Sequence, residues 1–348
     1  MVVSAYLTTR GVFLLKALDD DGRLIWASDA INGDNYYCPF CHSKLLIRNG
    51  TLKRNHFAHQ KKACHSFSEG ETVEHLQGKM ALAKLFERDG YGTEIESYFP
   101  ELRQRPDIVI QKNFQKGIIE FQCAPVSVSK MRARSKGYKK AGFKFLWILG
   151  QQYLLKKKMT QQIAKFLKWN RSQGYYLIYY LTNKKIFRVF YNIQQTDYLP
   201  LKYKIVDFST VTALKEFLTS NNNFEFCKIS QNERIIQANF FEKDILRSQG
   251  NFRSLQIRCY LRKQSLETLK PLLFAGRYSP PIYAVKELYW KTDFIYLKKL
   301  NNTSERDLYW KIILEHQKYL FETPLLNVNR IADLQIREMN SFVDKQGS

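Results

Sequence analysis

Short apolar runs separated by turn residues characterise the start of the chain. Runs at residues 12–17, 24–27 and 45–47 are bounded by polar and turn-forming positions, which predicts small β-strands. From residue 72 to residue 88 the apolar positions instead recur at helical spacing. The change of period near residue 70 therefore indicates a β-rich first part, residues 1–70, followed by a part of different architecture.

The second part, residues 71–150, predicts a compact α-β-β-β-α-β order. After the helix that ends at Arg88, we expect strands at 94–99, 106–110, 117–122 and 144–149, with a second helix at 129–140 capped by Ser129. The last strand is almost wholly apolar, as is typical of a buried parallel strand. The expected fold class is therefore α/β.

The third part, residues 151–348, is rich in Lys, Tyr, Phe and Asn. It predicts a hairpin with strands at 174–180 and 186–191, and mostly helix after residue 230. We expect a mixed, largely helical C-terminal domain that binds DNA or a protein partner.

Cysteine and histidine pairs in the first part have the pattern of a zinc knuckle. Cys38 and Cys41 form a Cys-x-x-Cys turn, and His56, His59 and Cys64 follow. Such a turn directs two thiolates to one point, and a second pair closes a tetrahedron around structural Zn²⁺. If residues 56–59 are a strand, the two imidazoles point to opposite faces. His59 is then the third ligand and either Cys64 or His56 the fourth; a reduced cysteine pair beside surface histidines is the alternative.

Composition and charge restrict the class of partner. The chain has 348 residues, is 45% hydrophobic, and carries 55 Lys and Arg against 32 Asp and Glu, a net charge of +23. Such an excess attracts polyanions, foremost nucleic acid. Six unevenly spaced cysteines do not suggest a disulfide framework, and no signal or membrane-spanning segment is visible. We expect a cytoplasmic protein without a membrane partner.

Two carboxylates on adjacent predicted strands suggest a metal site. Asp107 begins one strand, and Glu120 and Gln122 share one face of the next. Two carboxylates beside a backbone carbonyl suit Mg²⁺ or Mn²⁺, which can activate water against a phosphodiester. Glu74 and His75 on the preceding helix are expected to add a ligand or to orient that water.

Basic residues near these carboxylates could supply a cation and hold DNA. Lys79 follows His75 by about one turn of the same helix. The predicted helix 129–140 carries a further group, which we expect to contact DNA: Lys130, Arg132, Arg134, Tyr138 and Lys139. Tyr138 would stack on a base and the others would contact phosphates, although a solvated basic face is the alternative.

The order of these features resembles the PD-(D/E)xK nuclease superfamily, which has a restriction-endonuclease-like core. The third motif of that superfamily usually ends in Lys, and Gln122 stands there instead, so Lys79, Arg134 or Lys139 is expected to provide the cation. The full motif set resembles the competence protein CoiA family: Cys38-Pro-Phe-Cys41, His56-Phe-Ala-His59, Glu74-His75 with Lys79, Arg105-Pro106-Asp107, and Glu120-Phe121-Gln122 with Ser127, Ser129, Arg134 and Tyr138.

That resemblance implies a role in natural transformation, in which the protein promotes recombination of incoming single-stranded DNA. It also implies the strand-exchange recombinase and its loader protein as partners. The expected activity is a Mg²⁺-dependent deoxyribonuclease. Two alternatives remain open, a DNA-binding recombination mediator that has lost its chemistry and a basic scaffold that recruits a recombinase.

Overall fold

The structure is a computed structural model that describes residues 13–14, 16–38, 42–48, 55–59, 73–274, 276–300, 304–315, 319–327 and 336. It is a mixed α/β protein with a small antiparallel sheet followed by a large mixed sheet flanked by helices. The small sheet has the strand order β1-β6-β5-β4-β2-β3 and contains β1 (Phe13–Leu14), β2 (Lys16–Leu18), β3 (Leu24–Trp26), β4 (Tyr36–Tyr37), β5 (Lys44–Arg48) and β6 (His56–His59).

A small apolar cluster holds this first sheet together. Its buried residues are Ala17, Ala27, Tyr36, Cys38, Leu45 and Phe57. The predicted strands in this part are confirmed, with bounds shifted by a few residues.

The large sheet begins at one edge with β14 (Lys202–Phe208), β13 (Ile186–Gln194) and β12 (Gly174–Leu181), to which β11 (Lys168–Asn170) also pairs, and continues with β10, β9, β8 and β7. Its elements begin with α1 (Val73–Arg88), β7 (Gly92–Ile95), β8 (Ile108–Lys112), β9 (Gln115–Gln122), α2 (Val128–Lys140) and β10 (Lys144–Leu149). This is the predicted α-β-β-β-α-β order. β9, β10 and β12 are parallel, and the remaining neighbours pair antiparallel.

Alternation along β9 places α1 and α2 on opposite faces of the sheet. Ile119 and Phe121 pack with residues of α1, whereas Ile118 packs against Tyr138 of α2. Two predicted boundaries need correction. The strand expected at 94–99 ends at Ile95, because Glu96 has a left-handed backbone with φ +59°. The N-cap of α2 is Ser127 rather than Ser129, and its hydroxyl accepts a hydrogen bond from the Lys130 backbone amide.

The sheet continues past residue 150, so the boundary expected there falls inside one structural unit. After α3 (Gln161–Ala164), β11 (Lys168–Asn170) leads into the predicted hairpin, which is formed by β12 (Gly174–Leu181) and β13 (Ile186–Gln194). β12 adds to β10 in parallel, with Leu149 opposite Tyr179. The sheet ends with β14 (Lys202–Phe208), which is followed by α4 (Val211–Thr219).

Helices dominate after residue 230, as predicted, and cover the α2 face of the sheet. They are α5 (Gln231–Arg247), α6 (Gly250–Leu261), α7 (Leu266–Phe274), α8 (Leu288–Leu300) and α9 (Glu305–Glu315). One buried cluster joins Met131 of α2 and Trp147 of β10 to Trp290 of α8. In the part of the chain that the structure describes, every helix is too short or too polar to cross a bilayer.

Candidate functional site

Asp107 and Glu120 lie at the same end of two adjacent strands. β8 pairs antiparallel with β9, with Ile108 opposite Ile119. Asp107 precedes β8 by one residue, so this register brings it beside Glu120. The two carboxylates that the sequence placed on separate predicted strands are therefore brought together by the ladder.

Asp107 is held as a carboxylate by donors from both sides. Its Oδ2 accepts a hydrogen bond from the Phe121 backbone amide at 2.8 Å and lies 3.2 Å from His75 Nε2. Burial acts to raise the pKa of Asp107, but the charge and hydrogen bond of His75, together with Lys79 and Arg134, outweigh burial and leave the pKa below its ordinary value. Asp107 therefore stays ionised.

Glu120 is more deeply buried, with a side chain that is 1% exposed. Its Oε1 lies 2.6 Å from Arg134 Nη2 and accepts a hydrogen bond from the Tyr138 hydroxyl. Burial raises the pKa of Glu120 to about 8; repulsion from Asp107 adds to this, and Arg134 and Tyr138 oppose it. The two carboxyl groups therefore differ in proton affinity although they are neighbours.

Gln122 and Glu74 lie close to the C-terminal ends of β9 and β10, respectively. The Gln122 side-chain amide is buried and donates to the Ala124 carbonyl. Glu74 accepts a hydrogen bond from the Gln151 backbone amide at 3.1 Å, just past the end of β10. Between them, a Cβ atom at Gly150 would lie 2.6 Å from Cys123 Sγ and 3.1 Å from Glu74 Oε1. Glycine therefore allows this close approach, and of the two helix residues it is His75 that contacts Asp107.

A buried ion-pair cluster next to Asp107 was missed by sequence reasoning. Glu96 accepts from Lys79 Nζ at 2.6 Å through one oxygen and lies 3.0 Å from Arg105 Nη1 through the other. The Glu96 backbone amide also donates to the Asp107 carbonyl at 3.1 Å. No sequence pattern indicates this role, because Glu96 was expected to continue a strand. Lys79 is therefore close enough to Asp107 to help lower the pKa of that carboxyl group, although its direct ion-pair partner is Glu96.

Two of the five α2 residues that were expected to contact DNA lie in the carboxylate site instead. Tyr138 is 0% exposed and donates to Glu120, so the expectation that it stacks on a base is wrong. Arg134 is half-buried and joins Glu120 to the Arg105 carbonyl, which it reaches at 2.9 Å. Both residues therefore belong to the carboxylate site.

The other three basic residues that were expected to contact DNA are exposed. Lys130 and Lys139 face solvent, and Arg132 pairs at 2.9 Å with Glu322. Among the candidate replacements for the usual motif lysine, Arg134 contacts Glu120, Lys79 pairs with Glu96, and Lys139 lies in the last turn of α2.

Three of the expected zinc ligands lie in the described part of the small sheet, Cys38 directly after β4 and His56 and His59 on β6. The Cys38 backbone amide donates to the Ser43 carbonyl at 2.9 Å, which closes a tight turn. His59 is opposite Leu45, close to that turn, whereas His56 is opposite Arg48 at the other end of the strand. Cys41 and Cys64 lie outside the described residues.

Comparison with known proteins identifies two family models in the chain. Residues 27–67 match the competence protein CoiA N-terminal domain, and residues 71–222 match the competence protein CoiA nuclease-like domain. The chain belongs to the competence protein CoiA family. The nuclease-like match begins just before α1 and extends to the residues after α4, so it includes the strands that follow residue 150. The CoiA nuclease-like domain thus covers the sheet on which Asp107 and Glu120 lie.

A curated relative supports this assignment. The chain is 32% identical over 120 residues to a protein of Bacillus subtilis (strain 168) described as competence protein CoiA. The aligned stretch covers 34% of this chain and 32% of that relative, so the chain spans about a third of the length of the relative it matches.

Proposed function

We propose that this CoiA-family protein is a metal-dependent nuclease that acts on DNA during competence. The observation that carries the proposal is the pairing of Asp107 and Glu120 at one strand end. Within the described residues, the hydrogen bonds and ion pairs of each carboxylate meet one oxygen, Oδ2 of Asp107 and Oε1 of Glu120. The second oxygen of each group is then available to a cation.

The donor set fits Mg²⁺ or Mn²⁺ with a protein shell of two carboxylates. Among the described residues, no three His, Cys, Asp or Glu side chains are grouped closely enough to hold a metal ion. Mg²⁺ commonly uses one or two carboxylates and completes its shell with water and substrate phosphate oxygens. Asp107 and Glu120 would hold the ion, which would supply water activation and charge neutralisation at the phosphodiester.

The surrounding residues have roles that follow from their contacts. His75, at 3.2 Å from Asp107, fixes that carboxylate and can accept a proton from the attacking water when it is neutral. Attack forms a new P–O bond, the bond to the leaving oxygen breaks, and that oxygen takes up a proton. Arg134 and Lys79 carry positive charge beside the two carboxylates, where the phosphate group gains negative charge during attack. They would take the role of the lysine that usually ends the third motif, at the position where this chain has Gln122.

A DNA-binding recombination mediator without chemistry is the second candidate. It is favoured by the buried amide of Gln122, which donates to its own chain, and by the raised pKa of Glu120, which disfavours cation binding at neutral pH. The competence name of the relative, together with the resemblance described above, suggests single-stranded DNA, the strand-exchange recombinase and its loader as partners in the cytoplasm for either candidate.

A structural Zn²⁺ in the small sheet belongs to the proposal as well. The register places His59 near the turn that follows Cys38, whereas His56 is three residues further along β6, about 10 Å away. This supports a set of Cys38, Cys41 and His59 with Cys64 as the fourth ligand. Metal analysis of the purified protein, with Cys38→Ser against Cys227→Ser as a matched control, tests it; equal zinc content in both variants would refute it.

Cleavage of labelled single- and double-stranded DNA in Mg²⁺ or Mn²⁺ tests the nuclease proposal. We expect wild type to cut, and Asp107→Asn and Glu120→Gln to lose activity while they remain folded. Asp207→Asn is the matched control, because Asp207 lies on β14 and pairs with Arg188 away from this strand end. Salt-sensitive DNA binding without cleavage by wild type would favour the mediator.

A further inference from the structure

The turn between β8 and β9 carries an aromatic side chain in an unusual setting. Lys112 pairs with Gln115, so the loop has two residues, Asn113 and Phe114. Both have left-handed backbones, with φ +50° and φ +62°. This is the conformation of a type I′ hairpin turn, which favours Asn at the first position and Gly at the second. Phe114 therefore occupies a position where a bulky side chain is disfavoured.

The hairpin gains nothing in packing from this residue. The Phe114 side chain is 100% exposed, whereas most large apolar side chains of this sheet are buried. Strained backbone positions that persist without a packing reason are concentrated at functional sites. An exposed ring at the tip of a rigid two-residue turn is therefore better explained by a ligand than by folding.

The surroundings of the tip are basic. Lys116 is exposed two residues after Phe114, and Lys144 is exposed on the neighbouring strand, opposite Gly117. The last turn of α2 ends nearby with two more exposed lysines, Lys139 and Lys140. Phosphates are attracted by such a group of lysines, and an exposed ring among them offers a face on which a base can stack.

We infer that the β8–β9 hairpin is a second contact site for single-stranded nucleic acid, in which Phe114 stacks on a base and the surrounding lysines contact phosphates. The site is distinct from the carboxylates, because Phe114 lies directly before β9 and Glu120 is the sixth residue of that strand, a separation of about 20 Å. The inference rests on the proposed function only in taking nucleic acid as the ligand, and it does not require cleavage.

Binding of the full-length protein to labelled oligomers tests this site. The probes are an oligothymidine of about 20 nucleotides, longer than the roughly 4–16 nucleotides that common single-strand modules occupy, and an abasic deoxyribose-phosphate oligomer of equal length. No Mg²⁺ or Mn²⁺ is added, so that cleavage does not affect the measurement. Phe114→Gly should weaken oligothymidine binding by about tenfold and leave binding of the abasic oligomer unchanged. Phe114→Trp should retain the affinity of wild type.

Loss of stability cannot explain that pattern, because glycine adopts a φ of +62° without steric strain. The unfolding midpoint of Phe114→Gly should stay at or above that of wild type. Unchanged oligothymidine affinity in Phe114→Gly, or an equal loss on both oligomers, would overturn the inference. Asp207→Asn, at the opposite edge of the sheet from the hairpin, should bind both oligomers as wild type does. Because binding is measured without added divalent metal, failure of cleavage and failure of the hairpin site are distinguishable.

Discussion

Gly78 lies on α1 directly above the strand that carries the candidate site. A Cβ atom at this position would lie 2.0 Å from Cε1 of Phe121 and 2.7 Å from two further atoms of the same ring. Phe121 is 0% exposed, is stacked on His75, and donates its backbone amide to Asp107. Gly78→Ala therefore forces a rigid, fully enclosed ring to move, although alanine is the better helix former.

Two opposing effects determine how far Gly78→Ala changes the free energy of unfolding. Alanine is favoured over glycine inside a helix by about 1 kcal/mol. Overpacking of a core costs about 1–3 kcal/mol. The upper end applies here, because ordinary carbon contacts are about 3.5–4.0 Å long and the contacts with Phe121 would be much shorter. We therefore expect the free energy of unfolding to fall by about 2 kcal/mol, roughly a 30-fold change in the unfolding equilibrium. Metal-dependent activity should fall too, because the Phe121 amide holds Asp107.

Urea denaturation of wild type, Gly78→Ala and Gly137→Ala provides the assay. Gly137 is the matched control because it also lies in a helix, and a Cβ atom there would meet only the far end of the Gln104 side chain, a chain with several rotatable bonds, with its nearest atom at 2.5 Å. Gly137→Ala should lie within about 1 kcal/mol of wild type. A Gly78→Ala protein as stable as wild type or more stable would refute the placement of Phe121 beneath the helix.

Three further predictions concern capping, burial of charge and pH. Ser127→Ala should destabilise the protein by about 1 kcal/mol in urea denaturation, whereas Ser129→Ala should change it by less than about 0.5 kcal/mol; equal effects would contradict the assigned cap. Lys79→Met should cost about 3 kcal/mol, and adding Glu96→Gln should restore part of this in a double-mutant cycle; strictly additive effects would argue against the pair. Since burial raises the pKa of Glu120 to about 8 and only the carboxylate binds a cation, cleavage should rise with pH up to about 8. A pH–rate profile that is already flat from about pH 6 would contradict this.

The order of elements in the nuclease-like part was predictable because its strands are short apolar runs between clear turn signals. The strand end at Ile95 was not predictable. The next residue, Glu96, has a left-handed backbone conformation, which a glutamate does not usually adopt and which its residue type therefore does not predict. The extent of the sheet was also missed. A continuous run of aromatic and aliphatic residues identifies β12 as a strand, but it gives no information on whether that strand joins β10 or forms a separate sheet.

The composition of the candidate site was predictable in part for a similar reason. The proximity of Asp107 and Glu120 could be predicted, because it follows from their positions on two strands that pair with each other. The roles of Arg134 and Tyr138 depend on which face of α2 is buried, and the many basic residues of that helix suggested an exposed face throughout. Burial of Met131, Ser135 and Tyr138 at i, i+4 and i+7 shows the true buried face.

The parallel pairing of β10 with β12 has a consequence for synthesis on the ribosome. β10 ends at Leu149, and its partner is complete only at Leu181. At about 5–20 residues per second, the apolar edge of β10 waits roughly two to six seconds for that partner to be translated. An unpaired apolar edge is a template for association with other chains. A fragment that stops at residue 150 would keep this edge permanently open, so expression of the nuclease-like part should extend at least through β14.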